Sequence, residues 1–151
     1  MANRHFRWLF ALAGLFVLRV LAQLIQAVQP VSILPPFDAW HGAVLPYPVL
    51  VASQIVLVLV FAIILVRVRR ETIIPRRWKY RVCFALGGVY FAFMAFRFVS
   101  GLTFFVNDAW FAKHLPAFFH VVLASFILVL GHYIYRRAMP DISQTGQDGR
   151  D

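Results

Sequence analysis

Four long apolar runs dominate this chain and limit what it can fold into. They cover roughly residues 6–28, 46–66, 82–105 and 116–135. Each is close to the ~20 residues that a helix needs to cross a hydrocarbon core of ~30 Å. A backbone in lipid must satisfy its own hydrogen bonds, and these runs are too long and too continuously apolar for barrel strands. The sequence therefore predicts an all-α integral membrane protein with four transmembrane helices.

A short motif occurs twice and organises the four runs into pairs. The two copies stand at a constant offset of 70 residues, and they read Asp38-Ala39-Trp40 before Leu45-Pro46 and Asp108-Ala109-Trp110 before Leu115-Pro116. Each copy leads into an apolar run that ends in arginine. The repeat predicts two tandem helical hairpins, residues 6–67 and 82–137, related by a parallel pseudo-two-fold axis along the membrane normal. Together they form one membrane domain over residues 1–137, followed by a disordered tail over 138–151.

The net charge of +9 is distributed very unevenly along the chain. Only Lys113 falls on one side of the predicted membrane, and Arg19 and Arg97 fall inside helices. The other twelve of the 15 basic residues fall on the opposite side: Arg4, Arg7, Arg67, Arg69, Arg70, Arg76, Arg77, Lys79, Arg81, Arg136, Arg137 and Arg150. This positive-inside pattern predicts that both termini are cytoplasmic, in a membrane such as the bacterial inner membrane. It favours contact with anionic lipids at the cytoplasmic face over binding of nucleic acid.

The first apolar run resembles a signal peptide in its basic start and apolar core. Arg19 interrupts that core, however, and no A-x-A-like cleavage site follows. We therefore expect the run to be kept as the first transmembrane helix.

Two arginines inside the apolar runs are the strongest candidates for a functional site. Arg19 lies twelve residues beyond Arg7, or ~18 Å along a helix, and an arginine at that depth normally faces the protein interior. Gln23 follows at the spacing that places it on the same helical face. With Gln54 and Arg97 from the other helices, these side chains could line an intramembrane site.

Asp38 and Asp108 are the only acidic residues predicted on the outer side, so they are the natural partners of the two arginines. Two interpretations remain open. The arginines could form a clasp with these aspartates or with glutamine, which would fix the packing of the hairpins. Alternatively, they could line a pocket for an anion, a lipid headgroup or a quinone-type molecule.

Histidine offers a weaker alternative chemistry. His41, His114 and His120 are predicted near the outer face, where they could hold a metal ion or haem. No H-E-x-x-H motif and no second cysteine beside Cys83 accompany them. Local hydrogen bonds at the interface explain these histidines more simply, so we predict no cofactor.

These features favour a small polytopic protein without enzymatic activity, because P-loop, G-x-G-x-x-G and G-x-S-x-G signatures are all absent. The first expectation is an accessory or assembly subunit, or an oligomeric building block, whose partner is another membrane protein or a second copy. The first alternative is a carrier or binding protein for an anionic or amphiphilic small molecule at the arginine-lined site. The second alternative is a haem- or metal-binding redox protein of the membrane.

Overall fold

Four helices make up the regular structure of the described chain. The computed structural model describes residues 2–29, 31–34, 46–103 and 114–139. The helices are α1 (Ala2–Val28), α2 (Tyr47–Arg69), α3 (Arg77–Thr103) and α4 (His114–Ala138). All four are long and apolar enough to cross a membrane, as predicted, which indicates an integral membrane protein.

Proline lies at the start of the second and fourth helices. Pro46 occupies the position just before α2, and Pro116 is the third residue of α4. Proline is tolerated in a first turn because its missing N–H group would have no partner within the helix. The two repeated Asp-Ala-Trp segments that precede these helices lie outside the described residues, as does the predicted tail from residue 140 onwards.

Consecutive helices pack against each other in antiparallel pairs. In the first pair, the Phe16 ring lies edge-on to the Phe61 ring, with ring centroids 5.4 Å apart. In the second pair, residues early in α3 meet residues late in α4, such as Tyr80 and Tyr135 at 5.2 Å between ring centroids. α1 and α3 therefore run in one direction, and α2 and α4 run in the other.

The first and fourth helices lie in the middle of the bundle. α4 packs along α3 and also against α1, and α1 packs in turn against α2. The backbones of α2 and α3 stay apart throughout the described residues. The core consequently lies where α1, α2 and α4 meet, around Phe16, Phe61 and Phe126.

The second helix buries only a narrow part of its surface. Its three buried residues, Gln54, Phe61 and Val68, are spaced seven apart and therefore form one stripe along the helix. The remaining surface carries exposed aliphatic side chains such as Ile55, Leu59 and Ile63. A narrow buried stripe on an otherwise apolar helix fits a helix at the edge of a membrane bundle, where one face contacts the protein and the rest contacts lipid.

At one end of the bundle, an ion pair joins the end of α4 to the turn that follows α2. Arg137 near the end of α4 reaches Glu71 in the turn after α2, with Nη2 3.7 Å from the carboxylate Oε2. Its Nη1 donates hydrogen bonds to the Glu71 backbone oxygen at 3.1 Å and to the Tyr133 hydroxyl at 2.7 Å. This contact brings the basic turn between α2 and α3 to the same end as the start of α1 and the end of α4.

Candidate functional site

Six polar side chains lie buried or half-buried on the four helices, where the flanking sequence is apolar. They are Arg19 and Gln23 of α1, Gln54 of α2, Tyr90 and Arg97 of α3, and His120 of α4. We refer to these six residues as the interior polar cluster. Gln23 is 0% exposed, Gln54 3%, Arg19 7% and Arg97 8%. Polar groups buried to this extent point away from lipid, as expected for charges within a membrane span.

A hydrogen bond between two glutamines joins α1 to α2 inside this cluster. Gln54 Nε2 donates to Gln23 Oε1 at 3.0 Å, and both side chains are buried. The bond leaves Gln23 Nε2 and Gln54 Oε1 without a hydrogen-bond partner among the described residues. A buried donor and a buried acceptor are therefore available beside Arg19, which lies one helical turn from Gln23.

A second hydrogen bond joins α3 to α4 within the cluster. The Tyr90 hydroxyl lies 2.6 Å from His120 Nδ1, with the two rings close to perpendicular at 77°. Which of the two groups donates depends on the histidine tautomer. The Tyr90–His120 pair was not predicted: the sequence placed His120 with the outer histidines and did not single out Tyr90. The sequence feature that could have singled out Tyr90 is its seven-residue spacing from Arg97, which puts both residues on one face of α3.

The two arginines are buried on different helices, Arg19 on α1 and Arg97 on α3. The Arg19 guanidinium lies over the Phe119 ring, with its central carbon 5.3 Å from the ring centroid. This cation–π contact holds a charge against an apolar surface. Gln23 and Gln54 are in contact, and Arg19 lies one helical turn from Gln23, whereas Arg97 is buried on α3 seven residues after Tyr90. The four described residues of the predicted site are therefore all buried polar side chains within the helices.

The cluster carries positive charge without a carboxylate from the described chain. The single acidic residue in the described ranges is Glu71, which lies at the basic end of the bundle with Arg137. Asp38 and Asp108, the predicted partners of the arginines, lie outside these ranges. The described part of the cluster therefore combines two cations with amide, phenol and imidazole groups.

Gln26 has a different role from its neighbours on the same helical face. Its Oε1 accepts a hydrogen bond from the Val31 N–H group at 3.0 Å. This bond satisfies a backbone donor just beyond the end of α1. Gln26 therefore stabilises the exit from the helix and does not join the interior polar cluster.

The two described histidines of the predicted metal site point to different neighbours. His114, at the start of α4, lies edge-on to Phe98 with ring centroids 6.5 Å apart, whereas His120 bonds to Tyr90. Six residues separate them on α4, which places them ~120° apart around the helix. His41 lies outside the described residues. Within the described ranges, no three His, Cys, Asp or Glu side chains are grouped so that they could hold a metal ion.

Comparison of the chain with protein-family models, curated proteins and solved structures gives no match. The function is therefore inferred from the residues and their geometry alone.

Proposed function

We propose that this protein binds an anionic or amphiphilic small molecule at the interior polar cluster. The observation that carries the proposal is the burial of two arginines, Arg19 of α1 and Arg97 of α3, within helices that are otherwise apolar. An arginine near the centre of a membrane costs ~2.5–3.5 kcal/mol on insertion scales. A bound anion would offset this cost.

The polar groups around the arginines indicate what such a ligand would present. Gln23 Nε2 is a donor and Gln54 Oε1 an acceptor, neither with a partner in the described chain. Guanidinium groups bind carboxylate or phosphate oxygens through paired N–H groups. Phe119, whose ring lies against the Arg19 guanidinium, is apolar and buried. These features fit a ligand with an acidic headgroup and an apolar remainder. A quinone-type molecule is the neutral alternative, which the amide and phenol groups could bind.

The competing interpretation is a clasp between the arginines and Asp38 or Asp108. The two interpretations predict different results for the same variants. A clasp predicts that Asp108→Asn destabilises the fold about as much as Arg97→Gln. A ligand site predicts that the arginine variants lose a bound molecule while the aspartate variants keep it.

The test is to purify the protein in mild detergent and identify co-purified small molecules by mass spectrometry. We expect the wild type to carry an acidic amphiphile, and Arg19→Gln to retain at least tenfold less of it, because a charge-assisted hydrogen bond is lost. Arg7→Gln, on the same helix but exposed at the basic end, serves as the matched control and should retain it. Retention of the same molecules by a folded Arg19→Gln variant would falsify the proposal.

We also propose that the basic end of the bundle faces the cytoplasm and that the membrane is a bacterial inner membrane. The ends of α1 and α4 and the turn after α2 carry arginines at the same end of the bundle. Accumulation of arginine and lysine on one side is the pattern that sets membrane orientation. A tag accessible at either terminus only from the cytoplasmic side would agree with this orientation.

The proposed duplication of the hairpin rests on the repeated motif. Parallel directions of α1 and α3, and of α2 and α4, support it. In an exact repeat, the contact between α1 and α4 would be matched by a contact between α3 and α2. The backbones of α2 and α3 stay apart in the described residues. A duplicated hairpin would therefore have diverged in its packing while keeping its loop residues.

A second candidate function is that of a subunit in a homo-oligomer or a larger membrane complex. An exposed strip of small residues on α3, formed by Ala85, Gly88 and Ala92, favours it. A side chain added at Gly88 would meet nothing within 4 Å, so another helix could approach closely there. Strips of small residues at this spacing are typical of helix–helix interfaces in membranes.

For this second function we expect light scattering in mild detergent to give a discrete oligomer for the wild type. Gly88→Leu should reduce it to the monomer, because a large side chain keeps the second helix away. Gly14→Leu, at an open glycine on α1, is the matched control and should leave the oligomer intact. A monomeric wild type without any co-purifying protein would contradict this function.

A further inference from the structure

A cleft at the basic end of the bundle lies between the first turns of α1 and the last turns of α4. The His5 and His132 rings face each other there, with centroids 5.2 Å apart and planes tilted by 31°. The cleft has a volume of about 510 Å³, within the ~300–1,000 Å³ range of small-molecule sites. We refer to it as the basic-end cleft, and its main lining residues are Arg4, His5, Trp8, Leu128, His132 and Arg136.

The chemistry of the cleft changes in one direction along the bundle. Leu128, His132 and Arg136 lie four residues apart on α4, so they form one stripe ~12 Å long. On α1, the charged Arg4 lies nearer the end of the bundle and the apolar Trp8 lies deeper, which is the same order. Arginine therefore lies at the outermost level, histidine below it, and tryptophan and leucine deepest. This order matches an amphiphile with its acidic headgroup at the end of the bundle and its chains towards the membrane interior.

The two neighbouring arginines at the end of α4 have different surroundings. Arg137 contacts Glu71 and Tyr133, as described above, which fixes it on one side of the helix. Arg136 lines the cleft on the other side. None of the described residues that line the cleft is acidic. The cleft is thus lined by two guanidinium groups and two imidazole rings.

We propose that the basic-end cleft binds the phosphate diester of an anionic phospholipid. Guanidinium groups bind phosphate oxygens through two parallel N–H groups, and imidazole N–H groups can add further donors. Trp8 and Leu128 provide the apolar surface for the first part of the acyl chains. Basic pockets between transmembrane helices are a recurring form of anionic lipid site. This site is separate from the interior polar cluster, since Arg4 and Arg19 are fifteen residues, or ~22 Å, apart on α1.

The test uses native mass spectrometry of the purified protein with added dioleoyl phosphatidylglycerol or dioleoyl phosphatidylcholine. We expect a one-to-one complex with phosphatidylglycerol and at least tenfold weaker binding of phosphatidylcholine. The double variant Arg4→Gln/Arg136→Gln should lose phosphatidylglycerol binding by at least tenfold. Arg69→Gln/Arg70→Gln removes the same charge from exposed positions at the same end and should bind as the wild type does. Circular dichroism and thermal melting establish that both variants are folded.

Three outcomes would overturn the proposal. Equal loss in both double variants would mean that overall charge attracts the lipid without a defined site. Equal binding of both lipids would mean that the headgroup is not recognised. Full displacement of phosphatidylglycerol by inorganic phosphate alone would assign the cleft to a soluble phosphate. If the first double variant is unfolded, the single variants His132→Gln and Arg136→Gln provide the same comparison with a smaller change. Unchanged phosphatidylglycerol binding by both single variants would equally reject the site.

Discussion

Replacing Phe126 by alanine should destabilise the protein more than any other single truncation in its apolar core. Phe126 is 1% exposed, and its ring stacks on Phe61 with centroids 4.1 Å apart. Phe61 in turn lies edge-on to Phe16. These three rings join α4, α2 and α1 at the point where the two hairpins meet. Removing the central ring leaves a cavity that the helices can fill only by shifting.

We expect the loss for Phe126→Ala to be about 3 kcal/mol of unfolding free energy. Burial of a phenylalanine in a water-soluble core is worth ~3–5 kcal/mol, and in lipid the transfer part is smaller because lipid is itself apolar. The measurement is unfolding in mixed detergent micelles with increasing dodecyl sulfate. Phe96→Ala is the matched control, since Phe96 is 64% exposed on α3 and should change stability by less than about 0.5 kcal/mol. Similar losses for both variants would mean that the ring stack does not hold the hairpins together.

The part of the fold that sequence could predict is the part set by local chemistry. A run of apolar residues long enough to cross a membrane must be a helix, and an arginine within it must face away from lipid. These two constraints act on each helix separately. They were sufficient to predict four helices and to place Arg19, Gln23, Gln54 and Arg97 in the interior. They did not require knowledge of which helices are neighbours.

The pairs that sequence could not predict depend on how the helices are rotated and arranged. Tyr90 meets His120 only because α3 presents that face to α4. His5 meets His132 because the start of α1, like the start of α3, packs against the end of α4. The connection order suggests that consecutive helices are neighbours, but it does not say which helices join the two hairpins. Both candidate sites described here were therefore visible in the sequence as separate residues and became sites only through this packing.

The second large effect is expected at Gly131, where α4 approaches α3 most closely. A Cβ atom added there would lie 2.8 Å from Cys83 Cβ and 3.7 Å from the Cys83 carbonyl carbon. The Cβ of Cys83 cannot move without the backbone that carries it, so the two helices would have to separate. We expect Gly131→Ala to lower the unfolding free energy by ~1–3 kcal/mol, the usual cost of overpacking. The same dodecyl sulfate titration measures it.

Two further variants separate this close contact from a general effect of alanine in a helix. Gly14→Ala is the control, because its new Cβ meets nothing within 4 Å and alanine favours the helix over glycine by ~0.5–1 kcal/mol. It should be neutral or stabilising. Cys83→Gly removes the opposing Cβ, so Gly131→Ala/Cys83→Gly should be more stable than the sum of the two single changes implies. Strict additivity of the two changes would show that the helices are not in contact at this point. The predicted coupling between the changes at Gly131 and Cys83 depends on a single condition. The backbones of α3 and α4 must lie so close together there that only glycine fits at position 131.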